Sequence, residues 1–194
     1  MQLVFPVRTE RLNIRALGVE DFDRHFAIFS NPDVARYLYE EPFTPDQARE
    51  HLKRRCILDL PNEGAWVNFG VELAKEGVLI GEIGMAHVSA VHGHYEVGYV
   101  FDPAYSGHGY ATEAAAIIVE LAISGLSAHR VTGRLDARNY RSAAVLERLG
   151  MRREGHFVEN EFVKGEWTDE VVYAVLDDEW RDLRGPAPTF HFRP

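Results

Sequence analysis

Apolar and polar positions change period repeatedly along the chain. Residues 9–17, TERLNIRAL, alternate, with Leu12, Ile14 and Ala16 on one side, which predicts a half-buried strand. Residues 19–30 and 32–39 predict two short helical pieces broken at Asn31-Pro32. Thr44-Pro45-Asp46-Gln47 carries four helix-start signals: a capping threonine, proline in the first turn, an acid at the positive end and a capping-box glutamine. Ala48, Leu52 and Cys56 follow at a spacing of four, with Arg49, Lys53 and Arg54 off that face.

The middle of the chain switches to period two. Residues 65–74 and 78–88, joined by Lys75-Glu76-Gly77, predict a β-hairpin, and 94–101 predicts another strand, ended by Asp102-Pro103 because proline cannot donate to a ladder. Tyr110 to Ser124 predicts a helix with Ala114, Ile117, Ile118, Leu121 and Ala122 as its apolar stripe. Arg130 to Asp136 predicts a strand. Asn139 to Leu149 predicts a short helix closed by Gly150 in the left-handed position. Strands near 152–158 and 169–176 complete the pattern. A single domain over residues 1–180 is expected, with an irregular Pro-rich tail over 181–194. Tight turns make the first three central strands antiparallel. The helix between 94–101 and 130–136 is long enough for a parallel crossover. The fold class expected is α/β (α+β): a mixed sheet with helices packed on it.

The chain has 194 residues, of which 46 % are hydrophobic and 26 % charged, as in ordinary globular proteins with a sizeable core. Its formal net charge of −9 argues against broad binding to nucleic acid or to an anionic membrane surface. Cys56 is the only cysteine, so no disulfide forms within the chain and no cysteine cluster holds zinc. The expectation for it is a small buried apolar residue. No apolar run approaches the ~20 residues that span a bilayer. The N-terminal MQLVFPVRTERL lacks a basic segment followed by an apolar core, so a cytoplasmic location is expected.

The stretch YSGHGYATEA, residues 105–114, places Gly107 and Gly109 between a strand and a helix. The first amides of a helix have no partner inside it, and with the helix dipole they form a donor site for an anion. Glycine admits positive φ and close approach of a ligand. The amides of 107–112 are therefore candidates for a diphosphate cradle. The segment is neither a Walker loop nor a GxGxxG fingerprint, because no Gly-Lys-Ser/Thr follows and Thr112 stands where the third glycine belongs. A glycine turn also occurs for purely geometric reasons, and that reading stays open.

Four blocks in order, TERLNIRAL at 9–17, EVGYVFDPAYSGHGYATEA at 96–114, ARNYRSAAVLERLGM at 137–151 and EGHFVENEFVKGEWTDEVVYAVL at 154–176, resemble the GNAT superfamily of acyl-CoA-dependent N-acetyltransferases, and within it the RimJ/RimL-like branch. The resemblance covers roughly residues 8–178. It implies a mostly antiparallel mixed sheet with a splayed parallel central strand pair, helices on both faces, and acetyl-CoA as acetyl donor. It implies that the strand ending at Tyr99, Val100 and Phe101 pairs with the pantetheine arm, and that Gly107, His108, Gly109, Tyr110, Ala111 and Thr112 take the pyrophosphate. Ser106 stands where the family carries Gln or Arg, and His108 or Arg141 are candidates for the missing positive charge. Asn139 and Ser142 match a block in which the Asn contacts the pantetheine arm and the Ser, or a nearby Tyr, lies near the sulfur. Leu146 occupies the place of the tyrosine acid of some relatives.

Acetyl transfer to an amine needs a base, a donor for the carbonyl oxygen and a proton for the departing thiolate. It needs no covalent enzyme intermediate, so direct attack in a ternary complex is expected. Glu96 is the leading base, on the strand that holds the thioester. Glu82, Glu72 and Asp136 are weaker alternatives. Val100 is the candidate backbone amide for the oxygen, and Ser142 the candidate acid. Tyr99 and Tyr173 are candidates for the acceptor pocket, whose wall is expected from residues 19–60 and 155–170, with Tyr37, Tyr39, Trp66, Glu159, Glu161 and Trp167. A primary amine, on a small molecule or a protein N-terminus, is the acceptor class, and a homodimer is possible from the family. His87, His92 and His94 cluster in sequence, but solvated turn histidines explain them more simply than a metal site. Two other classes stay open: a non-catalytic acyl-CoA-binding module, and an unrelated α/β nucleotide-binding protein.

Overall fold

The computed structural model describes residues 2–3, 6–57, 62–184 and 192–193. In chain order the elements are β1 (Gln2–Leu3), β2 (Val7–Arg8), β3 (Leu12–Arg15), α1 (Phe22–Phe29), α2 (Pro32–Ala35), α3 (Pro45–Arg55), β4 (Trp66–Leu73), β5 (Leu79–Ser89), β6 (His94–Phe101), α4 (Tyr110–Glu120), β7 (Arg130–Asp136), α5 (Tyr140–Arg148), β8 (Arg152–Val163), β9 (Glu166–Leu176), α6 (Asp177–Arg184) and β10 (Phe192–Arg193). Among the described residues, β2-β3-β4-β5-β6-β7-β9-β8 form one sheet, and β1 pairs with β10 in a second. All neighbours in the large sheet are antiparallel except β6 and β7, which are parallel. This is the mixed, mostly antiparallel sheet that the pattern predicts. Among the described residues no helix is long and apolar enough to cross a membrane.

Cross-strand register sorts the side chains between two faces. Phe69 lies opposite Ile83, and Met85 opposite Val97. These four join Ala114, Ala115 and Ile118 of α4 in the main core. Burying Ile118 alone contributes about 1.5–3 kcal/mol. The intervening positions, Asn68, Glu82, Gly84 and Gly98 among them, face α1 and α3, which pack on β5 and β4. A smaller cluster of Leu17, Leu52 and Leu79, with Phe22 and Cys56 against it, seats α3. Burial pushes the Cys56 thiol up, which suits a packing residue.

The helix starts are where the sequence places them. Thr44 and Gln47 form the capping box of α3, with Pro45 in its first turn. Asn139 caps α5, its Oδ1 accepting from Ser142 N at 3.1 Å. Gly150 takes φ +82° after α5. The helix predicted to reach Ser124 is α-helical to Glu120 and then widens into a π turn over Leu121–Gly125.

Three expectations are corrected. The helix over 32–39 is confined to Pro32–Ala35, because Asn31 caps it and the next residues turn. Strand 152–158 extends to Val163 as one arm of a long hairpin with β9. Residues 181–184, placed in the irregular tail, belong to α6. Residues 185–191 and 194 of that tail lie outside the described residues, and Phe192–Arg193 pair with Gln2–Leu3.

Trp180 explains why α6 folds back. Its side chain is 1 % exposed and its indole Nε1 donates to Glu120 Oε2 at 2.6 Å, while Ser124 Oγ donates to Oε1 of the same buried carboxylate. Trp180→Phe keeps an aromatic ring but removes the pyrrole part, which opens a small cavity and leaves that carboxylate one donor short. The variant is expected to lose about 1–3 kcal/mol, read as a lower urea midpoint at an unchanged m-value.

Candidate active site

Pairing of β6 with β7 ends early. His94, Tyr95 and Glu96 pair with Arg130, Val131 and Thr132, and there the register stops. β6 runs on to Phe101 held by β5, and β7 runs on to Asp136 held by β9. The two strands therefore diverge into a V whose inner backbone edges have no ladder partner. Asp102 N donates to Ile80 O at 2.9 Å, which sets the alternation on β6. The N–H groups of Glu96, Gly98 and Val100 turn toward β5, and those of Val97, Tyr99 and Phe101 turn into the V.

The turn 105–109 and the first turn of α4 stand at the mouth of the V. Gly107 and Gly109 have φ of +83° and +80°, a conformation that strains other residues. A Cβ at Gly107 would meet nothing within 4 Å. Gly109 is the N-cap of α4 but has no side chain to cap it, unlike Thr44 and Asn139 at their helices. Among the described residues the amides of 107–112 donate to no acceptor, and the buried Oγ1 of Thr112 has no partner. Orphan donors converging on open space are what a diphosphate requires. Nearby positive charge comes from a residue that the sequence did not single out. Arg11 donates to His108 O at 2.9 Å, pairs with Glu113 and lies over the Tyr110 ring at 4.8 Å. His108 stacks on Tyr110 and bonds Ser106 O, and Arg141 is exposed on α5.

A cavity of about 750 Å³ opens from the V. Tyr99, Val100, Asn139 and Ser142 line it at the strand end, and Tyr37, Tyr39, Trp66, Glu96 and Glu161 line it further out. Gly98 lies on its floor, and Gly84 beside it on β5 does not line the cavity. A Cβ on Gly84 would lie 2.6 Å from Val67 O, and one on Gly98 would lie 3.0 Å from the Trp66 ring that covers it. Tyr173 does not line the cavity. It is buried in the core and its hydroxyl donates to Glu147 at 2.9 Å. Glu159 and Trp167 also lie off it.

The carboxylates differ sharply. Glu96 is half-buried and its side chain makes no hydrogen bond or ion pair among the described residues. Burial pushes its carboxyl up, Arg134 pulls it back and Glu170 raises it further. Glu72 is held by Asn13 and Arg15, and Asp136 by Arg138, so neither is free to take a proton. Glu82 belongs to a closed ring. Arg55 Nε donates to His51 Nε2 at 2.9 Å, His51 Nδ1 meets His25 Nε2 at 3.1 Å, and His25 Nδ1 meets Glu82 Oε1. Arg55 Nη1 closes the ring on Glu82 Oε2 at 3.1 Å. Arginine only donates, so His51 Nε2 must accept. The proton order then follows around the ring: both histidines are neutral, with their protons on Nδ1. Burial and then Arg55 push His51 down to about 3. No ring nitrogen in this cluster is left to act as a base.

Tyr99 and Ser142 meet at the V. The Tyr99 hydroxyl donates to Ser142 O and accepts from Ser142 Oγ, both at 3.0 Å. Burial raises Tyr99. Leu146, in the place of the tyrosine acid of some relatives, fills the space above Gly133. His87 stacks on Tyr95, and among the described residues no group of three or more His, Cys, Asp or Glu is arranged to hold a metal.

The family model for the acetyltransferase (GNAT) domain matches residues 11–152. The chain belongs to the GNAT acetyltransferase family. It is 34 % identical over 175 residues to the uncharacterized N-acetyltransferase YnaD of Bacillus subtilis, covering 90 % of this chain and 98 % of that one. The crystal structure of a GNAT-family acetyltransferase from Bacillus anthracis is similar at a TM-score of 0.80 and 35 % identity, covering 91 % of this chain and all of that one, 100 %. The spermidine N-acetyltransferase of Vibrio cholerae, solved with CoA and spermine, shares the fold at a TM-score of 0.74 and 23 % identity, covering 89 % of this chain and 99 % of that one. The GNAT protein described here is an N-acetyltransferase that moves an acetyl group from acetyl-CoA to an amine. The open V, the orphan amides of 107–112 and the partnerless Thr112 Oγ1 fit that donor.

The raised carboxyl of Glu96 has a thermodynamic signature. A carboxyl with a higher pKa folded than unfolded binds more protons in the native state across the gap, so stability falls as pH rises through it. Glu96→Gln removes that loss. The ligand-free variant is expected to melt above wild type at pH 7.5, with the difference vanishing below the ordinary glutamate range, in paired thermal scans.

Proposed function

We propose that acetyl-CoA lies along the inner edge of β6, its diphosphate on the amides of 107–112, while the acceptor amine enters through the 750 Å³ cavity. When bound, acetyl-CoA supplies a thioester carbon for direct attack. The observation that carries this reading is the V itself, an unpaired parallel edge ending at an uncapped helix N-terminus. The N–H and C=O groups of Tyr99 and Phe101 serve the pantetheine arm as an added strand would. Asn139 has one arm free for the same ligand, since Oδ1 caps α5 and Nδ2 faces no partner among the described residues.

Glu96 takes the proton of the incoming ammonium, directly or through a water, and its raised pKa brings it closer to that task. The amide that receives the developing negative charge is assigned to Tyr99 rather than Val100, because Val100 N–H is spent on β5. The Ser142 hydroxyl, which donates to the Tyr99 oxygen in the ligand-free protein, turns its proton from Tyr99 to the departing sulfur as a hydrogen-bond donor. That sulfur leaves readily, with a free thiol pKa near ~8.5. The RimJ/RimL-like branch is proposed on the motif blocks, and a primary amine, on a small molecule or a protein N-terminus, is the acceptor class.

Two measurements test this. Gly109→Asp puts a carboxylate and a strained side chain into the cradle. Calorimetry should show saturable acetyl-CoA binding by wild type and at least tenfold weaker binding by the folded variant; equal affinity would remove the cradle. Glu96→Gln should lower kcat for amine acetylation by roughly 10²–10⁴-fold with acetyl-CoA affinity retained. A kcat within threefold of wild type would pass the base role to another group.

A further inference from the structure

The ring of Arg55, His51, His25 and Glu82 is more elaborate than packing demands. His25 and Glu82 are 0 % and 1 % exposed, and His51 is 9 % exposed. Such a network costs desolvation unless every member is satisfied, and here each atom that closes it has its partner. Its geometric result is the placement of one group. Arg55 Nε is fixed by His51, and Nη1 by Glu82 and by Asn68 Oδ1 at 3.0 Å. Its guanidinium also stacks over Phe29. Nη2, the remaining arm of the fork, has no partner among the described residues, and Arg55 lines the cavity with a quarter of its side chain exposed, 25 %. Arg54 lines the same end and pairs with no carboxylate among the described residues. Glu40 also reaches this end, from the exposed loop before α3.

The far wall is mixed: Arg134, Arg138 and Lys164 line it, and the two arginines are paired with Glu170 and with Asp136 and Glu166. Glu96 and Glu161 are carboxylates of this wall that enter no salt bridge among the described residues, although Arg134 pulls the Glu96 carboxyl down. Asn68, which Arg55 grips, is opposite Gly84, which is opposite Gly98, two residues from Glu96. The Cα atoms of Asn68 and Glu96 are therefore roughly 12 Å apart. Arg55 and Glu96 line the same cavity of about 750 Å³.

We propose that the acceptor is a small amine that also carries an oxyanion, a carboxylate or a phosphate, bound by Nη2 of Arg55 while the amine faces Glu96. This rests on the acetyl-transfer reading above and names its substrate class. A planar guanidinium with two of its three nitrogens already anchored meets an oxyanion with little further ordering. His51, pushed far below neutrality, stays an acceptor for Arg55 and keeps the fork in place at every physiological pH. A polyamine offers nothing for Nη2 to bind.

The test is steady-state acetylation of matched pairs: β-alanine against β-alaninamide, and O-phosphoethanolamine against ethanolamine, with spermidine alongside. Wild type is expected to prefer at least one oxyanion-bearing member by roughly tenfold to hundredfold in kcat/KM, mainly through KM. Whichever pair shows the preference tells carboxylate from phosphate. Arg55→Lys keeps a charge beside Glu82 but loses the fork, and the double variant Arg55→Met, Glu82→Gln leaves no buried charge unpaired. In both, the preference ratio should fall to near one, with acetyl-CoA affinity by calorimetry within threefold of wild type. The proposal is overturned if spermidine or the oxyanion-free members are preferred, if no oxyanion-bearing amine is turned over, or if the ratio survives in both variants. Loss of acetyl-CoA binding by wild type would instead bring down the donor reading, and this proposal with it.

Discussion

Three residue pairs decide the architecture of this site. β6 and β7 hold together through Glu96 and Thr132 and then part. A parting of strands leaves backbone donors and acceptors unpaired, which an interior cannot tolerate without a replacement. The fold makes it tolerable by bracing each arm from outside, β6 against β5 and β7 against β9, so the gap stays open without collapsing. Both helices that follow the parting strands begin at the gap. That is the general position for ligands in sheets with parallel strands, just beyond their carboxyl ends. The proposed donor path, the proposed base and the cavity all take their places from this one divergence.

Local chemistry was legible where it resides in neighbouring residues. Thr44 to Gln47, Asn139 and Gly150 announced their helix ends, and the alternation of 65–101 announced its three strands. The glycine turn and its helix were legible because Gly107 and Gly109 mark a turn whose positive φ other residues resist. The helix at 177–184 was not legible. It has acidic residues first, and its decisive contact is the hydrogen bond of Trp180 to Glu120, a pairing across sixty residues. The far half of β8 was missed because both its faces are largely exposed, which leaves no period to detect.

The ring was invisible for a different reason. His25, His51, Arg55 and Glu82 come from two helices and a strand, and no spacing along the chain relates them. Glu82 was noticed only as a weaker alternative to Glu96 as base. The structure shows that both its oxygens are taken, which leaves Glu96 as the candidate base whose side chain has no hydrogen bond or ion pair among the described residues. Arg11 escaped notice likewise, being nearly a hundred residues from the turn it touches, |i−j| = 97. The direction of the Val100 N–H, toward β5, was not legible, since a strand's alternation is set by its partner rather than by its own sequence.

The donor path proposed for this protein is written in main chain, along β6 and over 107–112, whereas the cavity beside it is written in side chains from α3, β4, β6 and β8. Amides are indifferent to what a codon specifies, within the limits that glycine sets at two positions. Side chains are not. A single substitution at Trp66, Arg55 or Glu161 can redraw the cavity while leaving the donor groove intact. Such a division lets a lineage explore new acceptors one mutation at a time, at constant donor, and it gives an engineer the same freedom.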